Sequence, residues 1–148
     1  MSISDATTVQ NFTPSEAWKK LEEDKTAVLI DVRSKPEWSF VGVPDLSDLG
    51  KAVIMIEWRA FPDMQVNTHF ADAVLSNVDD IPETMLFICR SGARSLDAAR
   101  YMSVAFANMG KPVTCINVDE GFEGDLDTTR HRGSINGWKS AGLPWQQS

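Results

Sequence analysis

The chain reads as a single α/β domain with a mainly parallel central sheet and helices on both faces. Three observations predict this. Short, largely apolar runs recur at 27–32, 52–56, 85–88 and 113–118, and runs of this kind suit strands buried on both sides. Between them, apolar residues recur at three- and four-residue steps, as on one face of a helix. Strand and helix patterns alternate along the chain, which favours parallel pairing with crossover helices. No internal repeat, low-complexity tract or linker divides the 148 residues, a length that suits one core. Residues 1–11 are polar and are expected to form a flexible N-terminal segment, with the domain spanning 12–148.

Taken in order, Thr13-Pro14-Ser15-Glu16 is a capping box with proline at the first helical position. Ala17, Trp18 and Leu21 supply the apolar face of that helix. The run 27–32 is the first core strand, with Asp31 and Arg33 at its C-terminal end, where open α/β sheets place their ligand crevice. Arg33 is therefore a candidate substrate contact; the preferred alternative is a polar network of Asp31, Arg33 and Glu37 that fixes the turn. Proline, glycine and aspartate mark 41–50 as a connecting loop. The run 52–56 is the next strand, and Trp58 and Arg59 follow it toward the same crevice. They are candidates for a pocket wall and an added positive charge, or else a core tryptophan beside a surface arginine. The segment 60–67 exceeds a tight turn and is expected to form a mobile rim. Phe70, Ala71, Val74 and Val78 carry helical spacing. The run 113–118 is the last core strand and contains Cys115 among apolar neighbours, which reads as an inert core thiol. Residues 125–133 read as a surface loop, 134–141 as a short final helix, and Leu143 and Trp145 as a C-terminal anchor.

Composition excludes several classes. A net charge of −7 argues against nucleic acid or an anionic membrane as partner. No apolar run approaches the roughly 20 residues of a membrane helix. The start lacks the basic and apolar segments of a secretory signal. Two cysteines make no disulfide scaffold, so a reducing, cytoplasmic location is expected. His69, on a helical stretch, reads as a surface or satisfied residue rather than a base, and His131 has no ligand pattern around it, so no metal is expected. Glycine-rich dinucleotide and phosphate loops are also absent from the sequence, so no cofactor is expected.

The chemistry concentrates at Cys89. The run 85–88 leads straight into this cysteine, and Arg90, Ser91, Gly92, Ala93, Arg94 and Ser95 follow before Leu96, Ala99, Met102, Phe106 and Met109 set a helical period. Cys89 thus ends a strand, and its loop wraps toward a helix N-terminus. Backbone N–H groups in such a loop have no partners of their own and converge on an anion. Together with Arg90 and Arg94 they should favour the thiolate and make Cys89 a nucleophile. Gly92 supplies the backbone freedom of the turn. Free cysteine also packs as a small hydrophobe, but an arginine directly after it and another at the loop's end do not suit a core.

The loop Cys89–Ser95 closely resembles the active-site loop of rhodanese-like sulfurtransferases: a cysteine, four residues, then a basic and a hydroxyl residue. Asp31-Val32-Arg33 with Glu37 and Trp38 is similar to an upstream signature of that family, and 137–145 resembles the end of many single-domain members. Where many members carry Gly-His-Ile-Pro-Gly-Ala, this chain has Val41-Gly42-Val43-Pro44-Asp45-Leu46, without the histidine. The resemblance implies a rhodanese-like fold and sulfur transfer through a Cys89 persulfide. It further implies a small anionic donor such as thiosulfate and a thiol or thiol-protein acceptor, with Arg90 and Arg94 holding the donor and Ser95 orienting the loop. Two alternatives stand beside it. Phosphatases and arsenate reductases use a similar cysteine-to-arginine loop, but theirs is one residue longer, and the shorter loop here should be too tight for a tetrahedral oxyanion. A sulfur-carrier module serving a protein partner would keep the same cysteine without fast turnover on small donors.

Overall fold

The computed structural model describes residues 8–147. Five parallel strands form the central sheet in the order β1 (Gln10–Phe12), β8 (Thr114–Val118), β7 (Thr84–Ile88), β2 (Val28–Asp31) and β4 (Ile54–Met55). Helices α1 (Pro14–Glu23), α2 (Lys35–Phe40), α3 (Phe70–Ser76) and α4 (Ala93–Asn108) connect them. Two small antiparallel pairs lie outside the sheet: β3 (Val43–Pro44) with β9 (Trp145–Gln146), and β5 (Arg59–Ala60) with β6 (Gln65–Val66).

Side chains alternate across the sheet, and the alternation sorts the core into two layers. On one face Ile30, Val32, Met85, Phe87, Cys89 and Cys115 pack with Phe70 and Val74 of α3 and Ala98, Met102 and Phe106 of α4. On the other, Leu29, Leu86, Ile88, Ile116 and Val118 pack with Ala17 and Leu21 of α1, Phe122 and Trp138. Helices therefore cover both faces, as the sequence predicts. The α1 capping box forms as well: Thr13 Oγ1 accepts from the Glu16 N–H at 3.2 Å, and Glu16 Oε1 accepts from the Thr13 N–H at 2.9 Å.

Topology decides where a crevice opens. After β2 the chain turns outward to β4, whereas after β7 it turns the other way to β8. The direction changes between β2 and β7, so their C-terminal ends diverge there and leave room for a site.

Several expectations require correction. Gln10 and Asn11, assigned to a flexible segment, belong to the edge strand β1, paired with Ile116 and Asn117; residues 1–7 of that segment lie outside the described residues. An edge strand this short and polar carries no apolar signal, and only pairing with β8 orders it. No helix forms at 134–141, which is a series of bends and turns; Gly137, at φ +101°, lies too close to Gly124 to carry a side chain. The strand expected at 52–56 shrinks to Ile54–Met55, although Ile56 and Trp58 still donate to the Asp31 and Val32 carbonyls at 3.1 Å. The segment 60–67, expected as a mobile rim, is largely the β5–β6 hairpin.

Candidate active site

Strand alternation fixes which way Cys89 points. Met85 and Phe87 face α4, so Cys89, two residues on, faces it too, just where that helix begins. Its sulfur meets the unpartnered N–H groups of the first helical turn. The Gly92 N–H donates to Cys89 Sγ at 3.2 Å, the Ser95 N–H at 3.3 Å, and Ser95 Oγ lies 3.2 Å from the same atom. The loop can close this tightly because Gly92 takes φ +107°, a region that side chains other than glycine's rarely allow.

The loop is held from behind by the turn that follows β8. Phe122 N–H donates to the Cys89 carbonyl at 2.8 Å, and the Glu123 and Gly124 N–H groups donate to the Arg90 carbonyl at 3.0 and 3.2 Å. Gly121, at φ +68°, lies flat against the Cys89–Arg90 peptide; a Cβ there would come within 2.5 Å of the Arg90 carbonyl. These bonds clamp the peptide that follows Cys89.

From the side it is held by Arg94, whose guanidinium grips Glu37 of α2 with two parallel bonds of 2.6 and 2.9 Å. Glu37 Oε1 also accepts from the Ser34 N–H at 3.2 Å and the Ser34 hydroxyl at 2.9 Å. Burial alone would raise the Glu37 carboxyl, but the Arg94 and Ser34 bonds outweigh it and hold it at about 2. Arg94 in turn is raised, chiefly by the Glu37 bond and also by the charges of Cys89 and Asp31. The pair ties the helix that follows the Cys89 loop to α2, just after β2.

The sequence-derived residues therefore divide. Cys89, Gly92, Arg94 and Ser95 come together around the sulfur. Arg90 and Ala93 are exposed, and Ser91 is half-buried in the same loop. Arg33 turns away from the Cys89 side of the sheet. Asp31 and Arg33 follow Leu29 onto the face away from α4, so Arg33 is 0% exposed, bonded to Asp31 at 2.7 Å and to the Gly42 carbonyl at 2.7 Å. Its guanidinium lies 4.3 Å from the centre of the Phe122 ring. Glu37 is absent from that network because Arg94 claims it. Trp58 is buried beside Cys89 in the same core layer, stacked edge-on to Phe70 at 5.1 Å and tilted against Tyr101 at 5.4 Å. Arg59 donates to the Met64 carbonyl at 3.1 Å within its own hairpin.

Sequence reasoning missed three contributors: Glu37 as the partner of Arg94, Gly121 as the backing of the loop, and Asn117. Asn117 Oδ1 lies 2.6 Å from Ser95 Oγ, and its Nδ2 donates to Asn11 Oδ1 at 2.9 Å. An asparagine inside the apolar run 113–118 was a visible signal, because strands disfavour it without a polar partner.

The family model described as the rhodanese-like domain matches residues 13–128. The chain belongs to the rhodanese-like domain family. It is 38% identical to an uncharacterized protein of Rickettsia conorii over 139 residues, covering 93% of this chain and 98% of the other. Among solved structures, Rv0390 from M. tuberculosis is 42% identical with a TM-score of 0.81, covering 95% of this chain and 98% of that one. A polysulfide-sulfur transferase homodimer from Wolinella succinogenes shares the fold alone, at 19% identity and a TM-score of 0.56, covering 98% of this chain and 84% of that one. Among the described residues of this rhodanese-like domain, no helix is long and apolar enough to cross a membrane. None of the described His, Cys, Asp and Glu residues form a cluster of three suited to a metal ion.

Proposed function

We infer that this rhodanese-like protein is a sulfurtransferase that carries sulfur on Cys89. The observation that supports the reading most is the cradle at the sulfur: two backbone N–H groups and a hydroxyl within 3.3 Å of one atom at a helix N-terminus. Such donors stabilise a sulfur anion before and after transfer, as an oxyanion hole stabilises oxygen. In the first half-reaction the Cys89 thiolate attacks the outer sulfur of thiosulfate. The sulfur–sulfur bond of the donor breaks, its electron pair leaves on sulfite, and Cys89 becomes a persulfide. In the second, an acceptor thiolate attacks the terminal sulfur and the Cys89 thiolate returns. Arg90, exposed beside the loop, is the cation left to meet the anionic donor, since both terminal nitrogens of Arg94 are taken by Glu37. Arg94 then serves to hold the loop rather than to bind the donor.

Incubation with thiosulfate followed by intact-mass measurement tests the reading. One added sulfur atom, removed by a thiol and absent in Cys89→Ser, is expected. No adduct from thiosulfate, mercaptopyruvate or polysulfide, together with aryl-phosphate hydrolysis that depends on Cys89, would replace it with phosphatase chemistry.

A further inference from the structure

The three groups at the Cys89 sulfur are not equivalent. The two backbone N–H donors are fixed in direction, whereas the Ser95 hydroxyl has one proton and three candidate acceptors. These are Cys89 Sγ at 3.2 Å, the Gly92 carbonyl at 3.3 Å and Asn117 Oδ1 at 2.6 Å. The shortest wins, because 2.6 Å lies at the strong end of the O–H···O range. In the observed arrangement the Ser95 proton therefore points away from the sulfur. Asn117 presents its oxygen to Ser95 because its Nδ2 is donating to Asn11 Oδ1 at 2.9 Å. Asn11 lies on the edge strand directly opposite Asn117 in register and is exposed. The orientation of an exposed amide thus passes through a buried one to the hydroxyl beside the nucleophile.

An amide turned over by half a rotation fills the same space with donor and acceptor exchanged. Turning both amides converts every link. Asn11 Nδ2 then donates to Asn117 Oδ1, Asn117 Nδ2 to Ser95 Oγ, and the Ser95 hydroxyl to the sulfur. The first direction suits a thiol, which can itself donate to the Ser95 oxygen. The second suits a thiolate or persulfide, which needs donors only and gains a charge-assisted bond. We propose that Asn11, Asn117 and Ser95 form a reversible hydrogen-bond chain that turns over when Cys89 gains or loses negative charge. Asn117 and Asn11 are its positioning residues. The inference rests on Cys89 being the sulfur-carrying nucleophile. No proton crosses between the three residues: the Cys89 proton leaves to solvent, and the others stay on their own atoms. The charged groups nearest this loop are Arg94, on which the charges of Cys89 and Asp31 both act, and Asp119, whose carboxylate borders Gly92. None of them belongs to the chain.

The decisive substitution is Asn11→Asp, because a carboxylate there can only accept. It locks Asn117 with its N–H toward β1 and its oxygen toward Ser95, which holds the hydroxyl away from the sulfur. Asn11→Leu makes no such demand. The measurement is the rate of Cys89 alkylation by iodoacetamide against pH, in a Cys115→Ala background and at 0.5 M and low salt (about 0.05 M) to separate screened charge effects. Asn11→Asp should lower the neutral-pH rate about tenfold, the scale of one hydrogen bond to a charged group, and leave the high-pH plateau unchanged. Asn11→Leu should stay near wild type. Adding Ser95→Ala should erase the difference between Asn11→Asp and its parent. Equal rates in all Asn11 variants would overturn the chain, as would an Asn11→Asp effect that persists undiminished with Ser95→Ala. Sulfur loading from thiosulfate, followed by mass in parallel, reports on the functional reading separately, since alkylation needs no sulfur donor.

Discussion

Cys89 and Cys115 are buried to the same extent, each 1% exposed, and pack in the same layer of the core. Their surroundings nevertheless differ. Cys115 sits within β8, and burial pushes its thiol up to about 12. It stays protonated and inert. Cys89 lies one residue beyond the end of β7, where the ladder stops and the first turn of α4 turns its free N–H groups toward the sulfur. Burial is thus the same for both thiols; what differs is the position of the strand end. The two sulfurs also cannot cooperate in this fold. Cys115 pairs in register with Met85, four residues before Cys89, which at about 3.3 Å per residue is roughly 13 Å, well beyond disulfide reach.

The largest expected effect breaks the comparison outright. Cys89→Ser should reduce sulfur transfer from thiosulfate to background while circular dichroism and melting stay near wild type. Cys115→Ala should retain most activity, with a loss of stability only. A folded but inactive Cys115→Ala would require a two-thiol relay through another conformation.

The next removes the support of the loop rather than its sulfur. Arg94→Ala strands a half-buried Glu37 and frees the helix start, so kcat/KM should fall by as much as about 100-fold, the scale of an ångström misplacement. Because Arg94 is taken by Glu37, Arg94→Ala and Glu37→Ala should not add in a double mutant. Additive losses would return Arg94 to direct donor binding.

Gly121→Ala sharpens the contrast from the back of the loop. A positive φ alone costs an alanine about 1–2 kcal/mol, and the approach to the Arg90 carbonyl adds to that. Chemical denaturation should report the loss. Alkylation of Cys89 should change in that variant while Cys115 remains unreactive.

The smallest effect is a pH dependence. The Glu37 carboxyl falls from 4.5 to about 2 on folding, so its ion pair stabilises the fold fully above pH 4.5. That contribution is lost as pH falls toward 2. The melting-temperature gap between wild type and Glu37→Gln should therefore narrow over that window and stay constant above it. A gap that does not narrow below pH 4.5 would mean that the Arg94–Glu37 pair is not formed in solution.

Much of this protein is determined by local pattern. The run 85–88 reads as a buried strand and the period after Gly92 as a helix, so a thiol at a strand end beside a helix N-terminus is legible from the residues alone. Loop length from Cys89 to Arg94, the α1 capping box and the inert setting of Cys115 are equally local, and each is visible in the order of residues. What joins distant segments was not. Arg94 and Glu37 are 57 residues apart, and Glu37 stands nearer in sequence to Arg33, another arginine with an equal claim on it. Only the alternation of β2, which sends Arg33 to one face while α2 brings Glu37 to the other arginine, decides between them. Asn11 and Asn117 are separated by 106 residues, and neither has meaning until β1 pairs beside β8. Periodicity specifies which face a side chain takes within its own element. Which elements become neighbours is set by sheet order, and sheet order is a property of the whole core.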